Sequence, residues 1–408
     1  MPSRNNGFKK FIFWILILAV CCLALYYLLP MASSDLKYSS SDLANQNLKE
    51  DIKSSSDVVE KPEDVKVVDV PVSTLPVTHV ETPDKVRAVY MSAWVAGGTK
   101  FRDPIIKLID DTELNAVVID IKDSTGIISF HLPNPELKKY GAMENRISNI
   151  RALTNILHQK NIYVIGRISV FQDPYMTKHK PEWAITKLSD GTVWKDRKGL
   201  SFLNPTSKEV HDYIVALSKD SYAEGFDEIN YDYIRYPTDG NMKDINYNLK
   251  TGQTRSDNIE NFFKYLSTEM KKDTDIPISA DLFGLTTEVK DDMGIGQVWE
   301  KALPYFDYLA PMVYPSHYPS GTGGFAKPAE HPYEIIDRAL ESAVARTKAA
   351  GYDIKKVRPW LQDFNLGATY TKERIRAQMK ATYDNGLDSW MLWDPANTYT
   401  ASALEPKQ

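Results

Sequence analysis

The chain has 408 residues, 43% of them hydrophobic and 25% charged, with 20 Gly and 23 Pro. Those are globular values, and they exclude a wholly disordered, collagen-like or coiled-coil chain. A net charge of −5 argues against nucleic acid as a main partner, and the only two cysteines, the adjacent Cys21 and Cys22, exclude a disulfide framework or a cysteine metal site.

Residues 1–10 form a basic tail with Arg4, Lys9 and Lys10. Residues 11–29, FIFWILILAVCCLALYYLL, carry no charge, and a helix needs about 20 apolar residues to cross a hydrocarbon core. A cleavable signal has a shorter apolar region, of about 7–15 residues, and Pro30 and Met31 interrupt the best cleavage site. The segment therefore reads as a transmembrane signal anchor, single-pass in the cell membrane. The preceding positive charges leave the N-terminus cytoplasmic and the C-terminal domain extracellular. Residues 30–85 are rich in Ser, Asp, Lys and Val without a sustained apolar period, so a disordered, flexible linker is expected. A short strand laid on the domain is the alternative for 65–80.

From residue 86 to 405 the pattern changes. Strand-like runs begin with VRAVYMSAW (86–94), AVVIDIKD (116–123), YVIGRISVF (163–171) and FDEINYDYIRYP (226–237). PISADLFG (277–284), YLAPMVYP (308–315), VRPWLQDF (357–364) and SWMLWDP (389–395) complete eight. Amphipathic helical patterns fall between them, with Asp257 as an expected N-cap. Alternation of strand and helix implies parallel βαβ units, and eight of them predict an α/β fold, the (β/α)8 TIM barrel. An open doubly wound sheet would carry a glycine-rich phosphate turn after its first strand, and SAWVAGG is not one.

Barrel strands alternate between the helix layer and the lumen. In AVVIDIKD, Val117, Ile119 and Ile121 are the natural outward set, which sends Val118, Asp120 and Lys122 inward. The same parity sends Glu228, Asn230 and Asp232 inward on strand four, with Arg167 and Ser169 on strand three and Asp281 on strand five. Met312, Tyr314, Arg358, Trp360, Gln362 and Trp393 follow from strands six to eight. Charge at C-terminal strand ends is where barrel enzymes keep their chemistry. Asp232 and Asp281 lie near such ends on adjacent strands, and two carboxyls in one cleft can divide acid and nucleophile or base roles, as in glycoside hydrolysis. Asp120, Lys122, Arg167, Glu228, Asn230, Arg235 and Gln362 are the polar candidates for substrate binding. Trp94, Tyr314, Trp360 and Trp393 are the aromatic ones, able to stack on sugar rings. The insertion after strand three is expected to add Trp183, Trp194 and Asn204 to the rim. Neither HxH nor HExxH occurs among the seven histidines, and GxSxG is missing, so no metal, cofactor or serine nucleophile is expected.

At GFDEINYDYIRYPTDG, and through VRAVYMSAW, AVVIDIKD, LAPMVYPSHY, RPWLQDF and WMLWDP, the chain resembles the glycoside-hydrolase-like family DUF4015. The resemblance implies a (β/α)8 barrel similar to amylase-type hydrolases. Carried over by position, Asp232 would be the nucleophile and Asp281 the acid/base. Amylase-type barrels have Glu on strand five and Arg where Asn230 stands, so Glu228, Asp120 or a strand-six-loop residue are alternative acids. The expected protein is a membrane-anchored glycoside hydrolase acting on a cell-wall or surface polysaccharide. The alternative is a non-catalytic glycan-binding or cell-envelope scaffold protein on a degenerate hydrolase barrel.

Overall fold

The structure, a computed structural model, describes residues 75–272 and 274–407. The basic tail, the predicted anchor and the linker up to residue 74 lie outside the described residues. Among those described, no helix is long and apolar enough to cross a membrane.

Eight parallel strands close into a barrel in chain order. They are β1 (Arg87–Met91), β2 (Ala116–Lys122), β3 (Tyr163–Ser169), β4 (Glu228–Asp232), β5 (Ile278–Phe283), β6 (Tyr308–Met312), β7 (Trp360–Gln362) and β8 (Trp390–Trp393). Every one falls inside its predicted run. Six longer helices cover the barrel: α1 (Thr99–Asp111), α2 (Ile150–His158), α3 (Lys208–Tyr222), α4 (Arg255–Met270), α5 (Pro332–Ala349) and α6 (Lys372–Asp384). The alternation is incomplete. After β5 there are only the 3-10 helix Gly284–Thr287 and the four-residue helix Trp299–Ala302, and after β8 only the 3-10 helix Ala401–Ala403. The stretch after β5 has Gly294 and Gly296 in the left-handed region, at φ 75° and 86°, which stops a helix from propagating there. The N-cap of α4 also differs from expectation. Thr254 occupies it, and Asp257 is its capping-box partner three residues on, accepting from the Thr254 amide at 2.7 Å.

Strand parity separates two apolar layers. Val117, Ile119, Ile121, Val164, Ile168, Ile229 and Ile278 pack outward against the helices. Ala88, Tyr90, Val118, Ile165, Ala310 and Trp360 pack in the lumen. Each fully buried aliphatic side chain contributes about 1.5–3 kcal/mol, so the outer layer is the main source of stability. The parity breaks once. Between β2 and β3, Asp120 pairs with Arg167 but Lys122 pairs with Ile168, a bulge at Ile121. Gly166 makes room for it, since a Cβ there would meet Ile121 Cδ1 at 2.3 Å.

Residues 75–85, counted with the linker in the sequence, lie against the barrel. The Val80 amide donates to Asp227 Oδ1 at 2.8 Å, Thr78 Oγ1 lies 2.7 Å from His158 Nδ1, and Thr82 Oγ1 lies 2.9 Å from Tyr163 Oη. Val80 packs against the lumen cluster, so this strap covers the N-terminal end of the barrel.

Candidate active site

The register that closes the barrel also sets the site. Asn230 pairs with Ser279 and Tyr231 with Ala280, so the next inward step brings Asp232 and Asp281 side by side. Both line a cavity at the C-terminal end of the strands, with Arg167, Tyr233, Arg235, Phe283, Met312, Tyr314, His317, Trp360 and Trp393. Ring faces and apolar edges dominate the wall. The Asp232 carboxylate and the guanidinium groups of Arg167 and Arg235 supply its charge.

The two aspartates are held differently. Asp232 Oδ2 accepts from Arg167 Nε at 3.2 Å and Nη2 at 2.5 Å, and its Oδ1 accepts from the Tyr233 amide at 2.6 Å. Tyr233 takes φ 51°, a left-handed conformation that a tyrosine adopts at a cost of about 1–2 kcal/mol, and this turns its amide back onto the carboxylate. Arg167 reaches the other way to Asp120 Oδ1 at 2.7 Å, and Tyr90 Oη donates to Asp120 Oδ2 at 2.6 Å. One guanidinium therefore joins two carboxylates, beside a stacked Tyr90–Trp393 pair whose centroids are 4.1 Å apart.

Asp281 is held by neutral donors. Its Oδ1 accepts from Asn230 Nδ2 at 2.9 Å and from Trp360 Nε1 at 2.8 Å. Burial, and next the negative charge of Asp232, push its carboxyl up to about 8. Near neutral pH it carries a proton. The cleft thus sets a carboxylic acid beside an arginine-bound carboxylate, the division of labour that acid–base chemistry requires. Burial also takes His317 down to about 4, so the cavity wall holds a neutral imidazole. Among the described residues no cluster of three or more His, Cys, Asp or Glu side chains is placed to hold a metal ion.

Of the residues singled out in the sequence, Asp232, Asp281, Arg167, Arg235, Tyr314, Trp360 and Trp393 converge on the cavity. Arg167 holds Asp232; the Arg235 guanidinium lies against the Phe283 and Tyr233 rings at 4.6 and 5.0 Å. Asp120 and Asn230 sit one layer behind, each bonded to a cavity residue. The others are elsewhere. The bulge turns Lys122 out of the lumen, where it is wholly buried with Nζ 2.6 Å from Asp173 Oδ2. Glu228 faces the lumen but lies deeper, bonded to Arg358, Tyr163 and Ser279. Gln362 spends its carboxamide on the Ser316 amide and the Phe364 carbonyl. Trp94 is on the short helix Ala93–Gly97, 46% exposed, with Arg146 5.0 Å from its ring. Trp183, Trp194 and Asn204 are buried within the insertion rather than on the rim. The sequence reading passed over Tyr90 and Phe283, although the same parity places both inward. Tyr318 and Leu285 sit on turns outside the strands, where no periodicity marks them.

A closed (β/α)8 barrel with two neighbouring carboxyls at its C-terminal mouth has an arrangement that glycoside hydrolysis can use. The chain belongs to the family DUF4015, described as "Putative glycosyl hydrolase domain", whose model matches residues 88–399. No curated protein matches it. A hypothetical protein from Ruminiclostridium thermocellum ATCC 27405 is 31% identical over 47% of this chain and 96% of its own, with a TM-score of 0.43. The glycoside hydrolase domain of PgaB (BpsB) from Bordetella bronchiseptica has a TM-score of 0.57 at 13% identity, covering 77% of this chain and 95% of its own. The catalytic domain of β-amylase from Paenibacillus polymyxa has a TM-score of 0.48 at 10% identity, covering 79% and 95%. Family and fold together place the protein among the glycoside hydrolases.

Proposed function

We propose that this barrel cleaves a cell-wall or surface polysaccharide, with Asp281 as general acid and Asp232 as its carboxylate partner. The observation that carries the reading is the unlike treatment of two neighbouring carboxyls, one bound by Arg167 and one buried and held by the neutral donors of Asn230 and Trp360. In that reaction Asp281 gives its proton to the bridging oxygen as the bond from the anomeric carbon to that oxygen breaks. The anomeric carbon ends bonded to a water oxygen that keeps one of its protons. If Asp232 is the nucleophile, its bond to that carbon breaks as the water attacks, and Asp281 takes the released water proton and is an acid again; if Asp232 is the base, it takes that proton itself, and exchange with solvent returns both carboxyls to their starting states. The aromatic wall supports the substrate class, because pyranose C–H faces stack on such rings.

The test is reducing-end release from a panel of bacterial wall and exopolysaccharides by the purified chain, beside Asp232→Asn and Asp281→Asn. Release lowered at least ~10²-fold in both variants is the expected result. Equal release by wild type and variants would sink the assignment, and glycan binding without release by any of them would favour a binding module. We propose further that residues 11–29 anchor the enzyme with the barrel outside the cell. Protease added to intact cells should then digest the barrel; a protected barrel would refute this arrangement.

A further inference from the structure

We propose that Asn230 and Trp360 are positioning residues that decide which oxygen of Asp281 bears the acidic proton. Both donate to Oδ1, from Nδ2 at 2.9 Å and from Nε1 at 2.8 Å. The inference rests on the acid role just proposed and specifies how that acid is aimed. A protonated carboxyl has one carbonyl oxygen, which accepts well, and one hydroxyl oxygen, which donates. Two N–H groups converging on Oδ1 make it the carbonyl oxygen, and the proton is left to Oδ2.

Neither donor can reverse its role. An indole N–H only donates. The carboxamide of Asn230 could in principle turn over, but its neighbours fix it. Arg358 Nη2 donates to Glu228 Oε2 at 3.0 Å and holds that carboxylate in the lumen. Ser279 spends its hydroxyl proton on Glu228 Oε1 at 2.5 Å, so its oxygen can only accept. Asn230 Nδ2 is the group 3.1 Å from that oxygen. The deep pair Arg358–Glu228 thus acts through Ser279 and Asn230 on the orientation of Asp281. Asn230 Oδ1, buried with no hydrogen-bond partner, is the cost of presenting the nitrogen to both acceptors. Trp360 is 1% exposed and braced edge-on by Trp393 at 5.5 Å, so its N–H is fixed in direction.

Trp360→Phe keeps a ring on the cavity wall and removes one donor. The charged groups that share the cavity with Asp281, namely Asp232, Arg167 and Arg235, are untouched by it. The first readout needs no substrate: the protein, carbon-13 labelled at aspartate carboxyls, is followed across pH by NMR and infrared spectroscopy, with Asp281→Asn assigning the signal. In Trp360→Phe the Asp281 carbonyl stretch should move to higher frequency and its titration further up, because a donor that favoured the anion is gone. On a substrate found by the panel above, kcat should fall roughly 10- to 100-fold with KM little changed, less than the ~10²–10⁴ of losing the acid itself. Asn230→Ala should move every readout the same way, and it carries the test if Trp360→Phe does not fold. An unmoved carbonyl band and titration, with only KM altered, would reduce Trp360 to a stacking platform and overturn the proposal. An Asp281 that titrates like an ordinary carboxylate in wild type would instead overturn the acid assignment on which it rests.

Discussion

Two aspartates of identical chemistry behave differently because one is bound by the Arg167 guanidinium while the other is buried and accepts from the neutral donors of Asn230 and Trp360. The pH dependence should record that. Asp281 must hold its proton to act as an acid, so activity should fall as pH rises through about 8; a rate flat from pH 6 to 10 would contradict the assignment. The same group acts on stability with a worked sign. Its carboxyl sits higher in the folded chain than the ordinary ~4 of an unfolded one, so folding takes up a proton and this contribution is lost as pH rises towards 8. Asp281→Asn should therefore remove activity while raising Tm relative to wild type, with the gap widening from pH 5 to pH 9 in thermal melts. Arg167→Met should do the opposite to stability, costing about 3–5 kcal/mol, because Asp120 and Asp232 would both lose their buried cation. Strand parity alone made Asp232, Asp281 and Arg167 legible. It could not rank depth, so Glu228 was read as reaching substrate although it lies a layer below, sealed by Arg358 and Tyr163.

At the scale of elements, β2 shows where sequence reading stops. Alternation places Val118 and Asp120 correctly, and then a single bulge reverses Lys122. The only local sign is Gly166 on the neighbouring strand, a residue whose missing side chain accommodates Ile121. The consequence is testable. Lys122 and Asp173 form a fully buried pair behind the barrel wall, under the Tyr213 ring at 5.6 Å. Lys122→Met should cost about 3–5 kcal/mol by leaving Asp173 uncompensated. Adding Asp173→Asn should recover most of that, and specific activity per folded molecule should stay near wild type in both. A selective loss of activity without loss of stability would return Lys122 to the substrate site. The aromatic wall divides along the same line: Trp360 and Trp393 were legible on strands, whereas Trp94, on a helix after β1, is turned towards Arg146 and solvent.

For the whole molecule, the eightfold alternation of short β-branched runs with amphipathic ones made the barrel legible, and the missing helices after β5 and β8 leave closure intact. The domain's beginning was not legible. Residues 75–85 have no period to read, and their partners, Asn155, His158, Tyr163 and Asp227, lie about 80 to 150 residues away in sequence. A chain starting at residue 86 should accordingly melt several degrees below one starting at 75, while its pH–activity profile keeps the same alkaline limb. The strap has a mechanical meaning as well. Force arriving from the N-terminal side is taken up by Thr78, Val80 and Thr82 at the barrel floor, before it can reach β1. The carboxyl pair sits at the far end of the same strands, beyond the buried Arg358–Glu228 ion pair. The strap therefore works as a strain relief, letting whatever precedes residue 75 be pulled or turned while the Asp232–Asp281 geometry stays fixed.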